Sequence, residues 1–126
     1  MPRTLLQSRI PRASVTHCEL NYEGSHAIDE DPLDASTICE NEQVPTWNIN
    51  NGERFITCAI RAERASRTIS MHGSAARRAS AGDLVIIAAL AQLDKREVAG
   101  FAPKVVLVNP DKRMKEERSS VPVQKA

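Results

Sequence analysis

The sequence predicts a mainly β fold, a small closed barrel with a few short helices. Three observations carry this. Apolar runs are short and are separated by Gly, Pro, Asn and Asp turn signals. The longest run, Leu84 to Ala91, is apolar without alternation, and its stretch from Leu84 to Leu90 reads as a strand buried on both faces. So many short strands in 126 residues would leave many unpaired edges, and closure removes them.

Residues 12–20 carry Val15, Cys18 and Leu20 among polar neighbours and read as a strand. Asp31-Pro32-Leu33-Asp34 reads as a helix start. Asp31 can cap free N–H groups, Pro32 fits the first helical position, and a short helix runs to about Cys39. Val44 to Ile49 is extended, and Asn50-Asn51-Gly52 reverses the chain, because Asn and Gly tolerate positive φ. Arg54 to Ile60 returns as a second strand. Phe55, Thr57 and Ala59 share one face, and Arg54, Ile56, Cys58 and Ile60 the other. Thr68 to Met71 is a further strand, ended by His72-Gly73-Ser74, and Ala75 to Ala79 is a helical turn. After the Gly82-Asp83 turn and the Leu84 run, Asp94 caps a helix that Gly100 stops. Lys104 to Val108 is a last strand, and the polar residues from Asn109 read as a loose tail as far as Val121-Pro122-Val123.

Composition narrows the function classes. Seventeen Lys and Arg against 16 Asp and Glu give a net charge of +1, so no basic field gathers nucleic acid or anionic lipid. The aromatic residues Tyr22, Trp47, Phe55 and Phe101 are too few for a base-stacking platform. No apolar stretch has the length of a membrane span or a signal peptide, so the expected location is the cytosol. Cys18, Cys39 and Cys58 are an odd, scattered set rather than a disulfide framework, and His17, His26 and His72 lack metal-ligand spacing; no metal is expected.

The informative stretch is Asn21-Tyr22-Glu23-Gly24-Ser25-His26-Ala27-Ile28-Asp29. A lone Gly-Ser usually marks a turn. Here it is accompanied by Val15-Thr16-His17, Glu40-Asn41-Glu42, Asn51-Gly52 with Arg54-Phe55, Ala62-Glu63-Arg64, Gly82-Asp83, Val85-Ile86-Ile87-Ala88 and Val121-Pro122-Val123-Gln124. In this order and spacing the chain resembles the pyruvoyl-dependent L-aspartate 1-decarboxylases, over nearly its whole length. The resemblance implies one domain over 1–126, a double-psi β-barrel, a homotetramer with shared active sites, and in some members a maturation helper protein. It also implies self-cleavage between Gly24 and Ser25 into chains 1–24 and 25–126.

The resemblance assigns roles residue by residue. The Ser25 hydroxyl attacks the Gly24 carbonyl, where the absence of a Cβ permits an unusual peptide geometry. Thr57 matches the residue that stabilises the resulting oxyanion and lies beside the substrate. Ser25 becomes a pyruvoyl group, whose ketone forms a Schiff base with L-aspartate and takes up the electrons left by carbon dioxide, much as a pyridoxal ring does. The product is β-alanine, for pantothenate and coenzyme A. Arg54 matches a carboxylate-binding arginine, Gly73 and Ala75 a loop that holds substrate through its backbone, where Ser74 stands for an alanine as a main-chain contact tolerates, and Tyr22 a tyrosine beside the cleavage site.

Four positions depart from the family pattern. Cys58 replaces the tyrosine that returns a proton to Cα, and its side chain is several ångströms shorter, whereas proton transfer requires hydrogen-bond reach. His72 replaces an asparagine, Arg9 a carboxylate-binding lysine, and Pro11 a common histidine. Cys58 also motivates a rival reading, a non-catalytic oligomeric barrel that keeps the fold.

Overall fold

The computed structural model describes residues 1–23, 25–109, 114–120 and 123–124. Gly24, and with it one side of the expected cleavage site, lies outside the described residues, as do Val121 and Pro122. Nine strands join in one mixed sheet. They are β1 (Arg3–Ser14), β2 (His17–Glu19), β3 (His26–Asp29), β4 (Gln43–Asn48), β5 (Arg54–Ala62), β6 (Ile69–His72), β7 (Leu84–Leu93), β8 (Lys104–Val108) and β9 (Met114–Arg118). Two α-helices, α1 (Glu30–Ser36) and α2 (Lys95–Ala99), and a 3-10 turn over Gly73–Arg77 complete the described elements. The mainly β expectation holds.

The strand order is β2-β6-β3-β5-β4-β7-β1-β8-β9. This order forces the sheet to curl. Six strand steps, about 29 Å in a flat sheet, separate β1 from β2. Yet only Val15 and Thr16 connect them, and three peptide steps span at most about 11 Å. The two linking residues sew the seam. The Val15 N–H donates to the Asp83 carbonyl at 2.8 Å, and the Thr16 N–H to the Ile69 carbonyl at 2.7 Å. The interior is packed with Ile10, Ile28, Leu33, Val44, Ile69 and Ile87, all essentially inaccessible to water.

Several elements differ from the sequence reading. The strand expected at 12–20 is two strands broken at the seam, and β1 starts at Arg3. Its polar stretch hides its burial, since Ser8 is fully buried. The cap of α1 is Asp29, not Asp31. The Asp29 carboxylate accepts the Asp31 N–H at 2.9 Å, and Pro32 is the third helical residue rather than the first. The helix stops at Ser36, short of Cys39, because Thr37 turns left-handed at φ 57°. The Leu84 run continues to Leu93, and burial on both faces holds for Ile87, Ala88 and Ala89 while Leu90 is exposed. The tail is not all loose. Met114–Arg118 pairs antiparallel with β8, so mean polarity misled where an edge strand tolerates charge.

Candidate active site

Ser25 stands immediately before β3, the strand between β6 and β5. The β3–β6 ladder pairs His26 with Met71, and one step earlier the His72 N–H donates to the Ser25 carbonyl at 2.8 Å. The His72 side chain reaches the same segment. Its Nδ1 lies 3.2 Å from the Glu23 carbonyl oxygen, which can only accept, so Nδ1 carries the proton. Its Nε2 lies 3.0 Å from Ser70 Oγ, whose hydroxyl donates to it in the neutral ring. Tyr22 packs edge-on against the imidazole with ring centroids 5.4 Å apart. One residue thus holds the carbonyls on both sides of position 24.

On the other flank, β3 pairs parallel with β5, beginning at His26 opposite Ala59. The residue before that pair is Cys58, which lies level with Ser25 and has an exposed, free thiol. Alternation along β5 splits the remaining candidates, as the sequence predicted. Thr57 pairs with Val44, which is buried in the barrel, and Thr57 is half-buried. Arg54 and Cys58 share the outward face, where the Arg54 guanidinium lies 4.7 Å from the Trp47 ring centroid. Arg9 stands on β1, and its buried Nε has no partner among the described residues.

A cavity of about 410 Å³ opens beside Thr57. Its lining contains the expected Thr57, Ser74 and Ala75, together with Phe55, Arg77 and Arg78. Gly73 sets the loop direction. It takes φ 63°, a left-handed conformation that favours glycine, and the 3-10 turn that follows carries Ser74 and Ala75. The sequence reading missed both arginines, although the pair stands next to the expected loop. It also missed Ser70, which has no motif, and His26. The His26 ring is fully buried, with Nδ1 3.3 Å from Thr46 Oγ1 and Nε2 without a partner among the described residues. Burial, and secondarily the nearby His72, pulls its pKa down to about 3, so it is neutral at physiological pH.

Among the described residues no group of His, Cys, Asp and Glu forms a metal site, and no helix is long and apolar enough to cross a membrane. The chain matches the family model described as aspartate decarboxylase over residues 1–115. The chain belongs to the aspartate decarboxylase family. It is 73% identical to the aspartate 1-decarboxylase of Polaromonas naphthalenivorans over 126 residues, covering 100% of this chain and 99% of that one. It is 60% identical to that of Albidiferax ferrireducens, covering 100% and 93%. To that of Burkholderia pseudomallei it is 59% identical, covering 98% of each. Within the decarboxylase family, then, the residues gathered at Ser25 are the place to seek the chemistry.

Proposed function

We propose that the chain decarboxylates L-aspartate to β-alanine and carbon dioxide, after cutting itself between Gly24 and Ser25 to make a pyruvoyl group from Ser25. Family membership supports the reaction. The observation that carries the self-made group is the double hold of His72 on the Ser25 and Glu23 carbonyls. Fixing the peptide on both sides of a reacting bond lowers the entropy cost of intramolecular attack.

In the cleavage, Ser25 Oγ attacks the Gly24 carbonyl carbon. The new C–O bond forms as the C–N bond breaks, and the freed amine takes a proton. Loss of the Ser25 Cα proton then expels the Gly24 carboxylate, and water replaces the nitrogen as ammonia, leaving a ketone. Thr57 is the candidate donor to the oxyanion of the first step. The residues present suit such a group, since the Ser25 carbonyl that would be conjugated to the ketone already accepts the His72 N–H at 2.8 Å. Once formed, the group supplies an electron sink for the pair released with carbon dioxide. The His72 N–H is then a fixed donor where that charge gathers. Ser74 and Ala75 line the space for substrate, and Tyr22 packs against the His72 ring.

The distribution of cations supports a homotetramer with shared sites. Arg54 lies over Trp47, outside the lining of the cavity beside Thr57, a placement that suits contact with a neighbouring copy. Cys58, level with Ser25, is the group positioned to return the proton to Cα, directly or through one water. A maturation helper would act on the cleavage step, and the reading places the enzyme in the cytosol without metal, nucleic acid or membrane.

Mass spectrometry of the denatured protein tests this. The expected result is fragments 1–24 and 25–126, with a blocked residue 25, and an uncut chain for Ser25→Ala. A wild-type chain still intact after prolonged warming, with or without cell extract to supply a helper, contradicts the proposal. In cleaved protein, Cys58→Tyr raises β-alanine formation severalfold if reach limits the proton step. An unchanged rate removes Cys58 from that role.

A further inference from the structure

The mechanism above uses His72 but gives Ser70 no task. The two stand two residues apart on β6, so their side chains share one face of the strand. Ser70 is 2% exposed, and a hydroxyl so deeply buried needs a partner. Among the described residues that partner is the His72 ring, with Oγ 3.0 Å from Nε2. A neutral imidazole has one proton, and the hydrogen bond made by one nitrogen decides the state of the other. A hydroxyl that donates to Nε2 occupies its lone pair and leaves the proton on Nδ1, 3.2 Å from the Glu23 carbonyl oxygen. Two contacts therefore keep the proton on Nδ1, and they are unequal. Glu23 lies in an exposed bend where water competes for its carbonyl, whereas the Ser70 hydroxyl is fixed by burial. If the proton moves to Nε2, the Nδ1 lone pair faces the lone pairs of the Glu23 carbonyl, and attraction becomes repulsion. The backbone N–H of His72, which holds the Ser25 carbonyl at 2.8 Å, is untouched by that exchange.

We infer that Ser70 is a positioning residue for the self-cleavage: its buried hydroxyl selects the His72 tautomer that grips the Glu23 carbonyl, and so readies the Gly24–Ser25 linkage for attack. The inference rests on the self-cleavage reading and adds to it a residue that acts only through His72. The gain is entropic. With carbonyls held on both sides of position 24, the segment samples fewer orientations before the Ser25 hydroxyl attacks. With the ring proton on Nε2, only the Ser25 carbonyl stays held and the Glu23 side is released.

Two measurements on the full chain test it. The first follows the 25–126 fragment by mass spectrometry in freshly purified protein. Ser70→Ala should slow its appearance about tenfold or more, and Ser70→Thr, which keeps the hydroxyl, should stay within about threefold of wild type. Ser36→Ala removes a buried hydroxyl that donates to the Leu33 carbonyl in α1, and should leave the rate in place. The second locates the His72 proton from the imidazole nitrogen shifts in the NMR spectrum of the uncleavable Ser25→Ala chain. It is made at about pH 8, above the range in which imidazoles ordinarily titrate. Adding His72→Gln identifies the His72 signals among those of His17 and His26. The proton should sit on Nδ1 in this parent chain and with Ser70→Thr, and move to Nε2 with Ser70→Ala, a change that a merely structural hydroxyl would not produce. A proton on Nε2 in the parent, a proton that ignores the loss of the Ser70 hydroxyl, or a cleavage rate that does not follow the proton overturns the inference. The two possible failures are separable. If wild type never cuts itself, yet the proton leaves Nδ1 with the Ser70 hydroxyl, the self-cleavage reading is what fails. If wild type cuts itself and the proton stays, the inference alone fails.

Discussion

His26 shows how one buried residue ties stability to pH. Unfolded, an imidazole titrates near pH 6.5, whereas the folded ring stays neutral down to about 3. As pH falls below about 6.5, the unfolded chain takes a proton that the folded chain refuses, so stability is lost on acidification. The slope is about 1.4 kcal/mol per pH unit, or about 2 kcal/mol by pH 5. Urea unfolding at pH 7 and pH 5 measures it, and His26→Gln should remove that part of the acid loss. An unchanged loss in the variant would show that other groups cause it. At this scale the sequence was legible only where a residue type has one use. Ser25, Thr57 and the loop from Gly73 to Ala75 were readable through their motif. His26 was not, because nothing in a lone histidine reveals whether it will be buried.

Among the elements, the joint between β3 and α1 holds the strand that follows Ser25. The Asp29 carboxylate is 2% exposed and accepts three backbone N–H groups, from Asp31 at 2.9 Å, Ala65 at 3.1 Å and Arg67 at 2.8 Å. It caps α1 and also ties down a loop in which Ala65 and Arg67 take positive φ. Asp29→Ala strands these donors and should cost about 2–4 kcal/mol by denaturant unfolding. Asp29→Asn should cost less, because its amide can still accept at one oxygen. Equal, negligible losses would mean that water replaces the carboxylate. Outside the joint, Arg64 bridges Glu30 at 2.9 Å and Asp34 at 2.6 Å but is half-exposed and screened by water, so Arg64→Ala should leave the denaturant midpoint nearly unchanged. Turn chemistry made the β4–β5 hairpin readable, with Gly52 at φ 75°. The start of β1 was not readable, because its pairing with β7 from Arg3 onward, rather than its own apolar content, makes it a strand.

For the molecule as a whole, short strands and turn spacing predicted a curled sheet, but not the strand order. That order depends on long-range pairing, such as the two residues between β1 and β2 that sew the seam. It also explains why one chain looks incomplete. Thr57 lines the cavity with Ser74 and Ala75, while Arg54 lies over Trp47 outside that lining. Dilution should therefore lower specific activity as the assembly dissociates, and mixing an Arg54→Ala chain with a Ser25→Ala chain should restore part of the activity that each lacks. Failure to complement would place each site within a single subunit. A ketone made from residue 25 is the centre of the proposed chemistry. Borohydride reduction in the presence of labelled L-aspartate should fix label to the 25–126 fragment and to no other species. An unlabelled fragment, or label only on an uncut chain, would contradict it.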